Sequence, residues 1–296
     1  MISVLICSNN PVLLDQIKVN IKNTIGTAFE ILYSDNRLAQ KGICKVYNEL
    51  ASRAKYPFLC FVHEDVIFPD NGWGNKLVDI FGTDTLTGLI GVAGSKYKSR
   101  YFSGWYCNVK ELDCANIVHR YDTGDEKINY SPVAKNKAEQ VICLDGVFMC
   151  CRSEVWKEMQ FNDSFLKGFH FYDIDFSLRV AEKYNIVVSY EIEMIHITGG
   201  GNFDDQWVET AIAYHHLMKE KLPFTKIKVD RKVVDRKIII AWLDWLKNQN
   251  ISLTNRLKWI RLQKLYSNPV FYYSLLKFLF YKPLRLKQFH YLVKSK

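Results

Sequence analysis

Apolar runs and polar breaks alternate along the first part of the chain, and they read as strands and helices in turn. Ile2 to Cys7 is a short apolar run rich in β-branched side chains, closed by Ser8-Asn9-Asn10-Pro11, after which Leu14, Ile17 and Ile21 recur at helical spacing. Phe29 to Tyr33 reads as a second strand stopping at Ser34-Asp35-Asn36, Ile43 to Ala54 as a helix, and Pro57 to Val62 as a third, wholly apolar strand. Such strands, separated by helices, predict an α/β architecture with a parallel sheet covered on both faces. Leu89 to Ala93, Val141 to Leu144 and Ile186 to Tyr190 read as further strands and Phe176 to Tyr184 as a helix, while the Gly-, Lys- and Tyr-rich stretch 94–135 reads as irregular or antiparallel. No internal repeat is visible.

The pattern changes near residue 225. Ile239, Trp242, Leu243 and Leu246, then Leu257, Ile260, Leu262 and Leu265, recur at helical spacing with cations between them. From 225 to 296 there are 17 Lys and Arg against three acids, a net +14, whereas residues 1–224 carry a net −5. Two regions are expected, 1–224 and a basic, aromatic-rich helical region 225–296. Basic helices with aromatic edges suit an anionic membrane surface; the plainer reading is that their apolar faces pack on the first region. This much aromatic surface could also pair between subunits, giving an oligomer.

With 48% hydrophobic and 24% charged residues over 296 positions, the chain is globular in composition, which excludes disordered and low-complexity classes. Eight cysteines in this length do not make a disulfide scaffold, and Met1 leads straight into a strand-like run, so reduced thiols and a cytoplasmic location are expected, with peripheral attachment at the inner face of the membrane through the basic region. No run reaches the roughly 18 apolar residues of a membrane span; the candidate around Val270 to Phe280 contains Lys277. Nucleic acid is not expected as a partner, because no zinc-finger or RNP motif accompanies the positive charge. The absence of GxxxxGK[ST] and GxGxxG sequences argues against P-loop and Rossmann dehydrogenase chemistry.

Ligands of open α/β sheets bind beyond the carboxyl ends of the strands, which singles out Ser8-Asn9, Asp35-Asn36 and His63-Glu64-Asp65. Three ionisable side chains beside a core strand need compensation. A hard divalent cation supplies it, with substrate phosphates completing its coordination; a helix cap or bridges to Lys and Arg would also supply it. Alternation along an extended segment puts Glu64 opposite His63 and Asp65, leaving Asp65 the better ligand. Asp173 and Asp175 precede a helical stretch in HFYDIDFSLR, where N-capping explains Asp175 better and a carboxylate held among aromatics would make Asp173 a general base. His196, just before the Gly199-Gly200-Gly201 turn, is a structural histidine or a ligand.

Taken in order, these segments carry a resemblance. The first strand with Ser8-Asn9, Asp35 after the second, a helix containing Asn48, then PFLCFVHEDV, GLIGVAG, LDGVFMCCR, FHFYDIDFSLR and MIHITGGG resemble an inverting, nucleotide-sugar-dependent glycosyltransferase of family two with the GT-A fold. The match runs from Ile2 to roughly Lys219 and is nearest the bacterial branch whose metal motif reads HED or HQD. It implies a mixed α/β sheet flanked by helices with a C-terminal basic helical extension. It also implies a Mn2+ or Mg2+ ion bridging the donor diphosphate, with Asp65 as ligand, His196 completing the coordination, and His63 and Glu64 supporting it or contacting the nucleotide. Ser8, Asn9 and Asp35 would hold the base, Asn48 would lie in the donor region, and Asp145 would face the donor sugar or acceptor.

The family's ED-x-D motif corresponds to Tyr172-Asp173-Ile174-Asp175, making Asp173 the implied base. Tyr172 departs from the usual Glu. The implied reaction is single displacement from a UDP-sugar to a hydroxyl of a glycan, glycolipid or glycoprotein, for surface polysaccharide synthesis, with no covalent role for any cysteine. A metal-dependent nucleotidyltransferase would use the same carboxylate and metal chemistry, and a non-catalytic membrane-surface scaffold would keep the fold alone.

Overall fold

Residues 1–121, 124–130, 137–197 and 203–280 are described by the computed structural model of the protein. The Gly199-Gly200-Gly201 turn and the last part of the basic region, residues 281–296, lie outside them.

A seven-stranded sheet forms the centre, in the order Ala138–Val141, Asn185–Ser189, Thr87–Gly91, Phe148–Arg152, Phe58–Val62, Ile2–Ser8 and Phe29–Asp35. Ile2–Ser8 lies parallel to both neighbours, with Ile2 opposite Phe29 and Phe58. Its side chains alternate as strand geometry requires: Ile2, Val4 and Ile6 face one core, with Leu14, Ile17 and Ile21 of the helix Pro11–Thr24, and Leu5 faces the other, with the helix Ile43–Ala51. Asn10 caps the first helix by accepting from the amides of Val12 and Leu13, and Pro11 occupies a first-turn position whose missing N–H costs nothing.

The sheet is mixed. Phe148–Arg152 runs antiparallel to Phe58–Val62 and Thr87–Gly91, and Ala138–Val141 antiparallel to Asn185–Ser189. The chain enters Phe148–Arg152 from a turn at the rim where the parallel strands end, held there by the His63 amide donating to the Val147 carbonyl at 3.1 Å; it must therefore run back.

A second sheet, in the order Cys143–Leu144, Ala93–Ser95, Asp113–Arg120, Met194–Ile197 and Val66–Ile67, crosses that rim, with Glu126–Tyr130 paired to Asp113–Arg120. The runs Leu89 to Ala93 and Val141 to Leu144, each expected as one strand, are both split between the two sheets. Both are buried on every side, so nothing in their periodicity marks the change of partner. The stretch 94–135 is in part this antiparallel sheet.

The C-terminal helices Arg231–Leu246, Leu253–Leu262 and Tyr272–Phe280 pack on the helix Asp205–Leu217 and the segment around Tyr97 to Tyr106, sharing one hydrophobic core with the central sheet. Trp242 stacks on Trp207 (centroids 5.2 Å apart, planes at 4°) and its indole donates to the Tyr106 carbonyl at 2.9 Å. Asp235 accepts hydrogen bonds from Tyr97 Oη at 2.9 Å and Ser99 Oγ at 2.6 Å. The change in composition at 225 falls inside a short strand, Phe224–Thr225, that pairs with Tyr97–Lys98. Ile239, Trp242, Leu243 and Leu246 are buried as expected, but in the following helix Trp259 and Ile260 turn inward while Leu257 and Leu262 face solvent. Arg256 points in as well, donating to the carbonyls of Lys247, Gln249, Ile251 and Phe278, so one guanidinium satisfies the free carbonyl ends of two helices.

All eight cysteines are free. Among the described residues no helix is long and apolar enough to cross a membrane.

Candidate active site

The three parallel strands end together at one rim. Ser8 is in register with Asp35, and the chain leaves Val62 directly into His63-Glu64-Asp65. Glu64 turns back toward the first strand, accepting from Ser8 Oγ, from the Asn9 amide at 3.0 Å and from the Asn10 amide at 3.1 Å. It therefore fixes the loop that follows the first strand. Asp35 holds Arg37 in a two-pronged pair, and the Arg37 guanidinium and amide bring its carboxyl down to about 2.

His63 and Asp65 lie on the other side of this turn, and the second sheet delivers His196 to them. Met194–Ile197 pairs with Val66–Ile67, His196 opposite Val66, and the Ile197 amide donates to the Asp65 carbonyl at 2.8 Å. His196 Nε2 lies 3.2 Å from Asp65 Oδ2, and His63 Nδ1 4.0 Å from Asp65 Oδ1. One ligand atom from each residue can be chosen so that all lie within 4.8 Å of one another. Two of these residues also have a buried polar atom without a hydrogen-bond partner, Asp65 Oδ1 and His196 Nδ1. An orphaned carboxylate oxygen between two imidazoles is expensive unless a cation satisfies it, so these residues fit a divalent metal ion. Burial alone would raise the Asp65 carboxyl, but the hydrogen bond and charge of His196, helped by His63, hold it below its ordinary value; burial and the charge of His196 lower His63.

A third element closes the site. The helix Tyr172–Ala181 starts after Phe171, a non-glycine residue at φ +66°, whose left-handed backbone is a strained conformation of the kind that clusters at functional sites. That turn places the first two helical side chains against the loop Asp145-Gly146. Tyr172 Oη lies 2.8 Å from His63 Nε2 and donates to the Gly146 carbonyl at 3.0 Å. Asp173 Oδ2 accepts from the Gly146 amide at 3.1 Å. Gly146 leaves room for the hydroxyl, since a Cβ there would meet Tyr172 Oη at 2.1 Å and push it aside. Burial, and then the charge of Asp145, push the Asp173 carboxyl up to about 7, although the Gly146 amide works against the shift. Asp145 is itself held by the Val147 amide at 2.9 Å and by the Trp105 indole at 2.7 Å.

The structure thus brings together His63, Asp65, Asp145, Asp173 and His196, with Ser8, Asn9, Glu64 and Asp35 along the adjoining rim. It does not bring Asn48: Oδ1 of that side chain accepts from Trp156 Nε1 and the Phe161 amide, and Nδ2 donates to the Phe161 carbonyl, so the amide pins the segment after the helix Ser153–Met159. Asp175 is buried and pairs with Arg179 one turn on at 2.9 Å rather than capping the helix. Sequence reasoning missed Trp105 and Gly146 as parts of the site and saw Tyr172 only as a departure; LDG, a glycine between an acid and a buried strand, was the available signal for Gly146.

The sequence matches the glycosyltransferase-like family over residues 3–231. No curated protein matches it significantly. Among solved structures, the fold is similar to that of the mannosyltransferase PcManGT from Pyrobaculum calidifontis in complex with GDP-Man and Mn2+, at a TM-score of 0.50 and 10% identity, covering 94% of this chain and 84% of that one. It is similar also to GalNAc-T7 with UDP, GalNAc and Mn2+, at a TM-score of 0.50 and 10% identity, covering 72% of this chain. The aligned part is about half of the GalNAc-T7 chain, 47%. At such identities the likeness is one of fold, and that fold is GT-A. Family match and architecture agree, and the chain belongs to the glycosyltransferase-like family.

Proposed function

We propose that the protein transfers a sugar from a nucleoside-diphosphate donor, a UDP-sugar by preference, to an acceptor hydroxyl of a glycan, glycolipid or glycoprotein, with inversion at the anomeric carbon and Asp173 as general base. The observation that carries the reading is the His63–Asp65–His196 cluster beside Asp173, whose carboxyl is pushed up to about 7 by burial and the charge of Asp145. A divalent ion held by those three residues would supply Lewis-acid stabilisation of the charge that builds on the departing diphosphate. The two imidazoles disfavour magnesium, which prefers oxygen ligands.

Asp173 is matched to its task. A base whose pKa lies near the working pH takes a proton as the new bond forms and contributes about 10²- to 10⁴-fold. The Gly146 amide donates to Asp173 Oδ2 at 3.1 Å and orients the carboxylate that would take the proton of the acceptor hydroxyl. Asp145, tied to Trp105 and Val147, would meet a sugar hydroxyl, and Ser8, Asn9 and Asp35 at the strand ends would hold the nucleoside. A displacement of this kind needs no covalent intermediate, and burial of Cys150 and Cys151 keeps those thiols protonated. The test is release of nucleoside diphosphate from candidate nucleotide sugars in the presence of manganese. Slow release abolished in Asp65→Ala supports the reading; equal release by the variant rejects it.

The exposed side chains of Tyr272, Tyr273, Leu276 and Phe280, with Lys277 over the Tyr273 ring, support attachment to an anionic lipid surface, and with it an acceptor at the inner face of a membrane.

A further inference from the structure

The geometry points to Tyr172 as the residue that fixes the tautomer of His63, so that Nδ1 meets a divalent cation as a bare lone pair; the inference rests on the metal reading of the cluster but makes a claim about the metal-free protein. A neutral imidazole carries one proton, and only the nitrogen without it can bind a metal. The neighbours of His63 pull that proton in opposite directions. On one side is Asp65 Oδ1, buried, without a hydrogen-bond partner and 4.0 Å from Nδ1. Left to itself, this carboxylate draws the proton to Nδ1, the nitrogen facing the cluster.

On the other side is the Tyr172 hydroxyl, 2.8 Å from Nε2. Its single proton has one satisfactory destination, because the Gly146 carbonyl at 3.0 Å can only accept. Were the hydroxyl to donate to Nε2 instead, two buried oxygens would face each other with no hydrogen between them. With the hydroxyl proton on the carbonyl, Oη presents a lone pair to Nε2, and Nε2 must bring the proton. The chain Nε2–H to Oη–H to the Gly146 carbonyl satisfies every group and empties Nδ1.

Tyr172 does this from a position built for it. Its ring is buried and packs against Tyr47 at 5.9 Å and Phe161 at 6.1 Å. The left-handed Phe171 aims the first turn of the helix, and the absent side chain at Gly146 leaves room for the hydroxyl. An outer partner on the second nitrogen is the usual way in which a metal-binding histidine is oriented, and its loss typically weakens metal affinity 10- to 100-fold. Here a phenol fills the place, at the position where the chain departs from the family motif it resembles. Tyr172 is thus a positioning residue, acting on the metal through His63 and adjoining the base at Asp173.

The test uses the full chain labelled with nitrogen-15 in its histidine rings, metal-free at pH 8, with His63 assigned by loss of its signals in His63→Gln. The proton is expected on Nε2 in the wild type and, at least in large part, on Nδ1 in Tyr172→Phe. Manganese affinity followed by electron paramagnetic resonance is expected to weaken about tenfold or more in that variant. Gly146→Ala, whose Cβ displaces the hydroxyl while keeping the tyrosine, is expected to reproduce both effects. An Nε2 proton retained in Tyr172→Phe, or an Nδ1 proton in the wild type, overturns the inference whether or not manganese binds. Failure of the wild type to bind manganese, with the tautomers as expected, counts against the metal reading alone.

Discussion

The Trp105 indole donates to Asp145 Oδ2 at 2.7 Å, and through this contact the C-terminal helices reach the active site. Trp105 lies in the segment gripped by Trp242 at Tyr106 and by Gln263 at Phe102, while Asp145 adjoins the glycine that positions Tyr172 and Asp173. Trp105→Phe keeps the aromatic volume and removes the donor. The variant should lose about 1–2 kcal/mol of stability in denaturant unfolding, the usual effect of leaving a partly buried carboxylate short of one hydrogen bond. Its donor turnover should fall more than its manganese affinity, because the metal ligands are untouched.

Asp173 sets transfer and stability against each other. Its folded carboxyl titrates at about 7, above the value of about 3.9 for an unfolded chain. Between those values the folded state holds the extra proton, so stability falls as pH rises through this window and is not regained above it. Asp173→Asn removes the penalty. The variant should melt a few degrees higher than the wild type at pH 8, show little difference at pH 4, bind donor and manganese normally, and lose transfer. In the wild type, transfer should rise with pH up to about 7 and then level off. A variant that melts no higher at pH 8 would show that the carboxylate is not strained, and one that retains turnover would show that it is not the base.

Arg256 holds four carbonyls at the joint of the C-terminal helices. Arg256→Met keeps much of the apolar stem and removes every donor. A loss of about 2–4 kcal/mol is expected, since hydrogen bonds from charged groups contribute about 1.5–3 kcal/mol and several carbonyls are orphaned together. Thermal unfolding and limited proteolysis in the region 225–280 report it; unchanged resistance would place the stability of that joint elsewhere.

Membrane attachment is tested by surface changes, since removing residues 225–296 would also strip Trp242 and Asp235 from the core. Tyr272→Ser with Tyr273→Ser, side chains that are 50% and 69% exposed, should lower co-sedimentation with vesicles containing phosphatidylserine and leave the melting temperature unchanged. High salt should weaken the wild-type interaction. Equal sedimentation of variant and wild type at low salt would reject attachment through this face.

Much of the fold is legible in the residues because each of its first strands is a short apolar run cut by a polar turn, and those turns are where the rim is built. His63 and Asp65 could be proposed because they directly follow Val62 at a strand end, which has a fixed place in an open sheet, whereas His196 could be proposed only from its place before the Gly199-Gly200-Gly201 turn and from the family resemblance. The reversal at Phe148–Arg152 was not legible: a run buried on both faces shows no alternation, and nothing in VICLDGVFMCCR says that two sheets share it. Asn48 shows the opposite limit. Its place on a helix beside the sheet says nothing of the local partners, at Trp156 and Phe161, that occupy its amide. Long-range hydrogen bonds such as Trp105 to Asp145 and Tyr172 to His63 depend on how segments 40 and 109 residues apart meet, which no local pattern encodes.

The most direct measurement is a manganese titration of the full chain with UDP present, read by electron paramagnetic resonance in wild type, Asp65→Ala and Asp173→Asn. One tightly held ion per chain in the wild type and in Asp173→Asn, lost in Asp65→Ala, is the predicted result. No bound ion in the wild type, or an ion held equally well without Asp65, would contradict the account.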